Sequence, residues 1–514
     1  MKEFLAAHRA KINGVLSCFD RMLFRGYLVL ENGGAMAQFL DGTQCSDLKS
    51  FLVEQGYRVK EHAQTWATRE GRPFEYLQAK TRMEDRAREL AARDHIERGL
   101  VCIFSVLQPC RTFSFKFTKG WTFVRPARRK CLFLYYYFMD PRFGLIHVRL
   151  QTWFPMHMQI YVNGHEWLAR KLDDNGIGYT KVDNVFLAID DVDRAQAFAD
   201  RFTSLDWPRI LDEFARQVNP LMSDLLDGYT YYWVTAQSEY STDVMFKRGA
   251  LAELYPRLIS HSTQCFGAKE VMCFLGRKLV GQFQGQIITD VLDLAHKRIP
   301  GVRVKHRVKE NWIKMYDKAG MALRIETVIN NPEGFRVRKS VRRHGKPVTE
   351  WVPMRKGVAY LFRYRDVSMS ANSRYLDGLA VVSDPTAKVS ELDRVTRRKQ
   401  AANGRTARAF NPLARDEVQL FQAVLDGADT IHGFTNKDVR ARLLPTPHLA
   451  ALEPDGKRQS AKVGRILHRF HAHGLIAKIP RSRRWRTTGL GRRLMATAIQ
   501  VRQINFPQLL ALAA

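Results

Sequence analysis

For its size this chain is short of acid. Against 82 Lys and Arg stand only 51 Asp and Glu, which leaves a formal net charge of +31 over 514 residues. A surplus of that size repels itself in a compact chain and ordinarily serves a polyanionic partner, nucleic acid first. Long apolar runs are missing as well. No segment approaches the roughly 18 uncharged residues of a membrane span, and Met1-Lys2-Glu3-Phe4 opens no signal-type apolar core. The expectation is therefore no membrane partner and a cytoplasmic location. Cysteine is sparse and scattered. Cys18, Cys45, Cys102, Cys110, Cys131, Cys265 and Cys273 form no Cys-x-x-Cys pair, so reduced thiols are expected rather than a disulfide framework or a zinc site. There is no Walker A loop and no Gly-x-Gly-x-x-Gly, and His165-Glu166 does not extend to His-Glu-x-x-His.

Apolar residues, by contrast, are plentiful. They make up 45% of the chain, with 30 Phe, 17 Tyr and 9 Trp, enough to fill several cores. The expected fold class is α+β and multidomain: a mixed or antiparallel sheet body with helices, followed by a separate C-terminal domain. Four segments are expected: an N-terminal α/β region (1–130), a core body (131–390), a basic linker (391–412) and a C-terminal domain (413–514). The first opens with a strand-like run, Val15–Leu28, that carries Asp20. In the second, Leu145–Trp153 alternates, with Ile146, Val148 and Leu150 on one side and His147, Arg149 and Gln151 on the other.

Charge concentrates in 297–365. Lys305, Arg307, Lys309, Lys314, Lys318, Arg338, Arg342 and Arg343 are interleaved with Trp312, Tyr316, Phe335 and Trp351. Only Glu310, Asp317, Glu326 and Glu333 oppose the cations of its first fifty residues. Cations neutralise phosphates and aromatic rings stack bases, so DNA or RNA is the expected partner. Within this region Asn311–Lys318 and Leu323–Asn330 both alternate, and Ala319-Gly320 between them predicts a hairpin. Lys314, Tyr316 and Lys318 would share one strand's face, and Arg324 and Glu326 the other's. A tyrosine, lysines and a carboxylate so gathered could act on a phosphodiester. A second chemistry starts from Asp20. With further acids among Asp140, Asp183 and Glu326, it could hold Mg2+ or Mn2+ for a nuclease or a strand transferase. Asp20, Tyr316 and Glu326 are the candidate catalytic residues. The plainer alternative is a binding hairpin in which Glu326 pairs with Arg324 or Lys314.

The C-terminal pattern is helix (Asp416–Leu425), helix (Asn436–Leu443, capped by Thr435), then a third helix from Ser460 to His473. A strand (Leu475–Ile479), a basic turn (Pro480–Arg484), a strand (Trp485–Thr488) and a closing helix (Leu490–Gln500) follow. This order resembles the winged-helix family, through Gly474-Leu475-Ile476 and Thr488-Gly489-Leu490-Gly491-Arg492-Arg493. The resemblance implies that Lys462, Arg465 and Arg469 lie on a helix that enters a DNA groove. It also implies that Arg481, Arg483, Arg484, Trp485 and Arg486 form a wing on the backbone. The long insert Thr446–Arg458 departs from the pattern.

Residues 311–330, with Lys-x-Tyr-Asp-Lys and Leu-Arg-x-Glu, are also similar to strands of rolling-circle replication initiators. The His-hydrophobe-His metal motif of those enzymes has no suitable counterpart here, because His471-Ala472-His473 falls in the third C-terminal helix. Through Ser17–Arg21, Phe274–Lys278, Lys314–Lys318 and Ala371–Leu376, the whole chain resembles a group of uncharacterised bacterial, mobile-element-like proteins. Together these readings imply a nucleic-acid-processing factor of transposase, nuclease or replication-initiator type. The alternative is a non-catalytic DNA-binding regulator or an RNA-bound scaffold.

Overall fold

The structure is a computed structural model. It describes residues 1–43, 47–78, 82–118, 121–277, 287–293, 301–343, 346–380, 382, 393–400, 406–426, 433–452 and 455–505. Cys45, Thr81, Lys278, Lys297, Arg298 and part of the expected linker lie outside the described residues. In chain order the strands are β1 (Ile12–Tyr27), β2 (Phe74–Tyr76), β3 (Gly99–Thr118), β4 (Trp121–Asp140), β5 (Gly144–Gln151), β6 (Met158–Asn163), β7 (Tyr179–Val182) and β8 (Val185–Ile189). There follow β9 (Tyr232–Phe246), β10 (Ile287–Asp293), β11 (Val302–Val308), β12 (Asn311–Lys318), β13 (Ala322–Ile329), β14 (Arg336–Arg343) and β15 (Lys346–Pro353). The body's helices are α1 (Lys2–His8), α2 (Gly33–Gly42), α3 (Leu48–Arg69), α4 (Met83–Arg93), α5 (Gly164–Asp173), α6 (Val192–Arg201), α7 (Trp207–Val218), α8 (Ala250–Cys265), α9 (Ala268–Phe274) and α10 (Leu361–Leu379). The protein is thus α+β and multidomain, as its pattern implies.

Eleven strands form one sheet in the order β10-β11-β12-β13-β9-β1-β6-β5-β4-β3-β2. Every pairing is antiparallel except β2 with β3. The expected boundary at residue 130 is corrected by this topology. It falls inside β4, and β1 lies in the middle of the same sheet as β9 to β13. Residues 1–130 cannot be a separate unit, because a strand in mid-sheet draws its hydrogen bonds from distant chain.

Period-two alternation gives the sheet two unlike faces. In β11 Val304, His306 and Val308 are buried on one face, while Arg303, Lys305 and Arg307 look out from the other. On the apolar face Ile313, Met315, Leu323 and Ile325 pack with α1, α8, α9 and α10, and a larger core continues beneath β1, β4, β5 and β6 with α2, α3 and α7. The opposite face is covered only in part. There α4 packs Ala87, Leu90 and Ala91 on Phe104, Tyr135 and Tyr137, while the β7–β8 hairpin sets Val185 and Leu187 on Ala322.

The expected β12–β13 hairpin is present, with Lys314 opposite Glu326 and Tyr316 opposite Arg324. Ala319 and Gly320 turn it at φ 57° and 68°. Strands β14 and β15 form a separate two-stranded ribbon. At the C-terminus, helices Arg415–Val424, Asn436–Leu443 and Gly456–Ala472, strands Ile476–Lys478 and Trp485–Thr487, and helix Gly489–Gln500 share their own core. Thr435 caps the second helix as expected. Ser460 does not cap the third. Asp455 does so, accepting from the N–H groups of Lys457 and Arg458, and the end of the insert becomes an extra helical turn.

Candidate functional site

The site begins with a fault in β1. Phe19 stands opposite Tyr240 and Met22 opposite Ser238, so Asp20 and Arg21 together face the single residue Glu239. Regular alternation would send Asp20 and Arg21 to opposite faces. The bulge brings both into one cleft. The edge of β1 changes at the same point. Strand β6 pairs with it only from Arg21 to Gly26 and then turns into α5. Gly164 makes that turn possible, since a Cβ there would lie 2.3 Å from the Phe19 carbonyl oxygen. The bare edge beyond is closed by Gln196, whose side chain accepts from Ser17 N–H at 2.8 Å and donates to Ser17 C=O at 2.9 Å.

Asp20 is consequently surrounded by donors. Asn163 reaches Oδ1 at 3.0 Å, Asn184 reaches Oδ2 at 2.8 Å and Arg324 Nη1 reaches Oδ2 at 3.0 Å. His165 Nδ1 lies 3.5 Å from Oδ1. Burial opposes ionisation of Asp20, but the His165 hydrogen bond and the charges of His165 and Arg324 prevail and hold its carboxyl well below the ordinary range. Arg324 is itself fully buried and grips Asp243 with Nε–Oδ1 at 2.6 Å and Nη2–Oδ2 at 2.7 Å. It also donates to the Asn184 carbonyl at 2.6 Å. This is the bidentate geometry a buried guanidinium needs.

Glu326 lies beside this network, 1% exposed. Lys314 Nζ donates to its Oε1 and the Tyr316 hydroxyl to its Oε2. Burial would raise the Glu326 carboxyl; the Lys314 charge overrides it and lowers it. Burial and the Glu326 charge instead push Tyr316 well above its ordinary value, so it stays a neutral phenol. Glu239 completes the group. Lys314 Nζ is 3.7 Å from its Oε1, and Gln237 donates to that oxygen at 2.8 Å. Burial, then the neighbouring Glu326 charge, pushes Glu239 up to about 7.

Asp20, Glu239 and Glu326 each offer a carboxylate oxygen within 4.8 Å of the other two, and all three are buried. In octahedral Mg2+ coordination, ligand oxygens about 2.1 Å from the ion are about 3.0 Å apart when adjacent and about 4.2 Å when opposite. Side-chain rotation of about half an ångström would close the set, provided the Lys314 ammonium withdraws. Arg324, shared between Asp243 and Asp20, and Lys314, between Glu326 and Glu239, already balance part of the charge of these carboxylates.

These groups line the floor of a cleft of about 810 Å3 between α4 and the residues Asp183 and Asn184 of the β7–β8 hairpin. Its walls carry both signs of charge: Arg21, Arg82, Arg88, Arg303 and Lys318 stand among Glu84, Asp85, Glu89, Asp183 and Asp317, with Arg21 and Arg88 paired to Glu84. A buried acidic floor open to solvent through such a mixed rim could hold a divalent cation, and through it an anionic group.

The sequence candidates separate on this geometry. Asp20, Tyr316 and Glu326 converge, with Lys314 and Lys318. Asp140 does not, because its Oδ1 accepts from Arg142 N–H and Phe143 N–H and caps the β4–β5 turn. Lys305 lies with its Nζ 4.2 Å from the Trp312 ring centroid, and Arg307 and Lys309 border a neighbouring depression with Arg25 and Lys356. Arg338, Arg342 and Arg343 are exposed on β14, with Arg343 paired to Glu350 at 2.6 Å. Arg465, Arg481, Arg483 and Arg486 are exposed at the C-terminus, Lys462 is half-buried and Trp485 packs on His471. Arg469 is engaged by Glu417 at 2.7 Å and lies over Phe410, so it is not free to meet DNA. Arg484 donates to the Gly433 carbonyl at 2.9 Å.

Glu239 escaped the sequence reading. The signal was faint: Gln237, Glu239, Ser241 and Asp243 place a polar residue at every second position of β9, but Ser238 and Thr242 between them blur the alternation. No protein-family model, no curated protein and no solved structure matches this chain.

Proposed function

We propose that the protein is a nucleic-acid-processing factor that cleaves or transfers phosphodiesters with a divalent cation held by Asp20, Glu239 and Glu326. The convergence of those three buried carboxylates at the floor of an open cleft carries the reading. A cation bound there would neutralise phosphate charge and supply an activated water. The chain's own groups do the rest. Arg324, Asn163 and Asn184 hold Asp20 in one orientation. Tyr316 does the same for Glu326, and its raised phenol argues for a positioning residue over a nucleophile. Lys314, displaced from the carboxylates, would be left next to the scissile phosphate. Arg21, Arg303 and Lys318 would take the flanking phosphates.

The C-terminal unit fits the winged-helix expectation in its element order. Helix Gly456–Ala472 would present Arg465, and the strand pair would present Arg481, Arg483 and Arg486, to duplex DNA.

The test is cleavage of labelled DNA and RNA, single- and double-stranded, with Mg2+ or Mn2+ and with chelator. Metal-dependent cleavage that Glu326→Gln and Asp20→Asn each abolish, in variants that melt as the parent does, supports the proposal. Cleavage untouched by either substitution refutes it. One observation favours a second reading, a non-catalytic binder: Lys314 already bridges Glu326 and Glu239 and balances part of their charge. In that case Mn2+ would leave the melting temperature unchanged at every concentration.

A further inference from the structure

Nucleic acid so far has two places on this protein, the cleft and the C-terminal unit. The β3–β4 hairpin provides a third. Its strands run 20 residues each, yet β5 pairs with β4 only over Phe133–Asp140, and β2 with β3 only over Ile103–Ser105. From Pro109 to Thr118 and from Trp121 to Lys130, the two strands therefore have, among the described residues, only each other as strand partners. The result is a two-stranded ribbon about 33 Å long at about 3.3 Å per residue.

Its two faces differ. Phe113 is buried, and Phe115 and Val124 pack against the main core, which seats one face on α2 and α3. In register, Ser114 stands opposite Arg125 and Lys116 opposite Phe123, so these share the other face with Arg129. That is the face of the sheet from which the cleft opens. Lys116, Arg125, Arg128, Arg129 and Lys130 are all exposed, and Phe123 is 53% exposed. From Arg98 to Met139 the sequence contains no acidic residue at all. A solvated ribbon normally mixes both signs of charge, so six exposed cations, Arg111 included, on strands without a carboxylate point to a polyanion.

We propose that the ribbon lies in the major groove of duplex DNA. Two strands about 4.8 Å apart with their side chains fill a groove about 12 Å wide, and about 33 Å is close to one helical turn. Arg128 and Lys130 reach the flanking phosphates, while Lys116, Arg125 and Arg129 face the base edges. An A-form RNA duplex is excluded by its deep, narrow major groove. The proposal shares the nucleic-acid reading of the cleft but does not depend on its chemistry.

The experiment uses the full chain in metal-free buffer, so that binding is read without cleavage. Affinity for a DNA duplex, the matching RNA duplex and a single strand is measured across a salt series. The variant Arg125→Ala/Arg128→Ala/Arg129→Ala/Lys130→Ala should bind DNA duplex at least about tenfold more weakly, and the slope of log affinity against log salt should fall by about 0.9 for each phosphate the variant no longer neutralises. Dimethyl sulfate footprinting of the parent protein needs no variant, and guanine N7, which faces the major groove, should be protected. An unchanged slope, unprotected N7 or equal affinity for the RNA duplex overturns the ribbon proposal, and metal-dependent cleavage surviving beside any of these leaves the cleft reading intact. Ribbon-dependent DNA binding with no cleavage under any divalent cation does the reverse.

Discussion

Replacing Arg324 with Met tests the architecture under the site directly. The guanidinium is fully buried and holds two carboxylates, Asp243 through two hydrogen bonds and Asp20 through one, besides the Asn184 carbonyl. Methionine fills much of the same volume and removes all of these hydrogen bonds. Breaking a buried ion pair from one side costs about 3–5 kcal/mol, because the remaining charge has no water and no partner. With two carboxylates abandoned, about 4 kcal/mol is the expectation. At roughly 2 °C per kcal/mol for a body this large, the melting temperature should drop by about 8 °C near pH 7.5. The sign of the pH dependence is fixed by the same interactions. In the parent both carboxyls lie below their ordinary value of 3.8, so their stabilisation is present above that value and is lost as pH falls through the lowered ones. Without Arg324, burial should raise Asp243 instead, and the variant's deficit should shrink toward pH 5 as that carboxyl takes up a proton. Adding Asp243→Asn should recover part of the loss. Differential scanning fluorimetry over that pH range measures all of this. A deficit under about 1 kcal/mol, or one that ignores pH, would refute the claim that this network is dry and charged.

Glu239 gives a prediction of the opposite sign. Raised from 4.5 to about 7, its carboxyl costs the folded state stability as pH climbs between those two values, a loss complete above 7, so Glu239→Gln should outlast the parent in thermal melts at pH 8 without metal and match it near pH 4. For the same reason Mn2+ affinity of the parent, by calorimetry, should fall about tenfold per pH unit below 7, and the variant should lose that dependence. Gly164→Ala forces a Cβ onto the Phe19 carbonyl and should destabilise by about 1–3 kcal/mol in denaturant titrations, with the metal-dependent activity lost before the fold. At the C-terminus, Arg483→Ala/Arg486→Ala should flatten the salt slope of DNA binding by about two, while adding Arg484→Ala changes it little further, since Arg484 is tied to Gly433.

Alternation made the local parts of this protein readable. The β12–β13 hairpin, with Lys314 opposite Glu326, follows from two period-two runs about a Gly turn, and Asp20 stood out as an acid inside an apolar strand. The C-terminal helices were legible because apolar stripes and caps are local signals. What stayed hidden depends on distant pairing. Nothing near residue 20 announces a bulge, which exists only relative to β9. Nothing near residue 239 says that Glu239 will lie beside residues 20 and 326. The outer half of β3 and β4 escaped because the exposed ribbon has charges in place of the alternation that marks a half-buried strand. The boundary placed at residue 130 failed for a related reason: the pairings that join β1, β3 and β4 in one sheet with β9 leave no local mark in the sequence.

The position of β1 in mid-sheet has a consequence for how the protein is made. This strand is made before its partners β6 and β9, which are encoded more than a hundred and two hundred residues later. At roughly 5–20 residues per second, an apolar strand edge waits about 10–40 s for β9. Glu326 arrives later still. No truncated product ending before β13 can assemble the three carboxylates, whereas the basic hairpin of β3 and β4 is complete by residue 140. An interrupted chain would therefore carry the basic hairpin without the acidic cluster, and its strand edges would stay exposed.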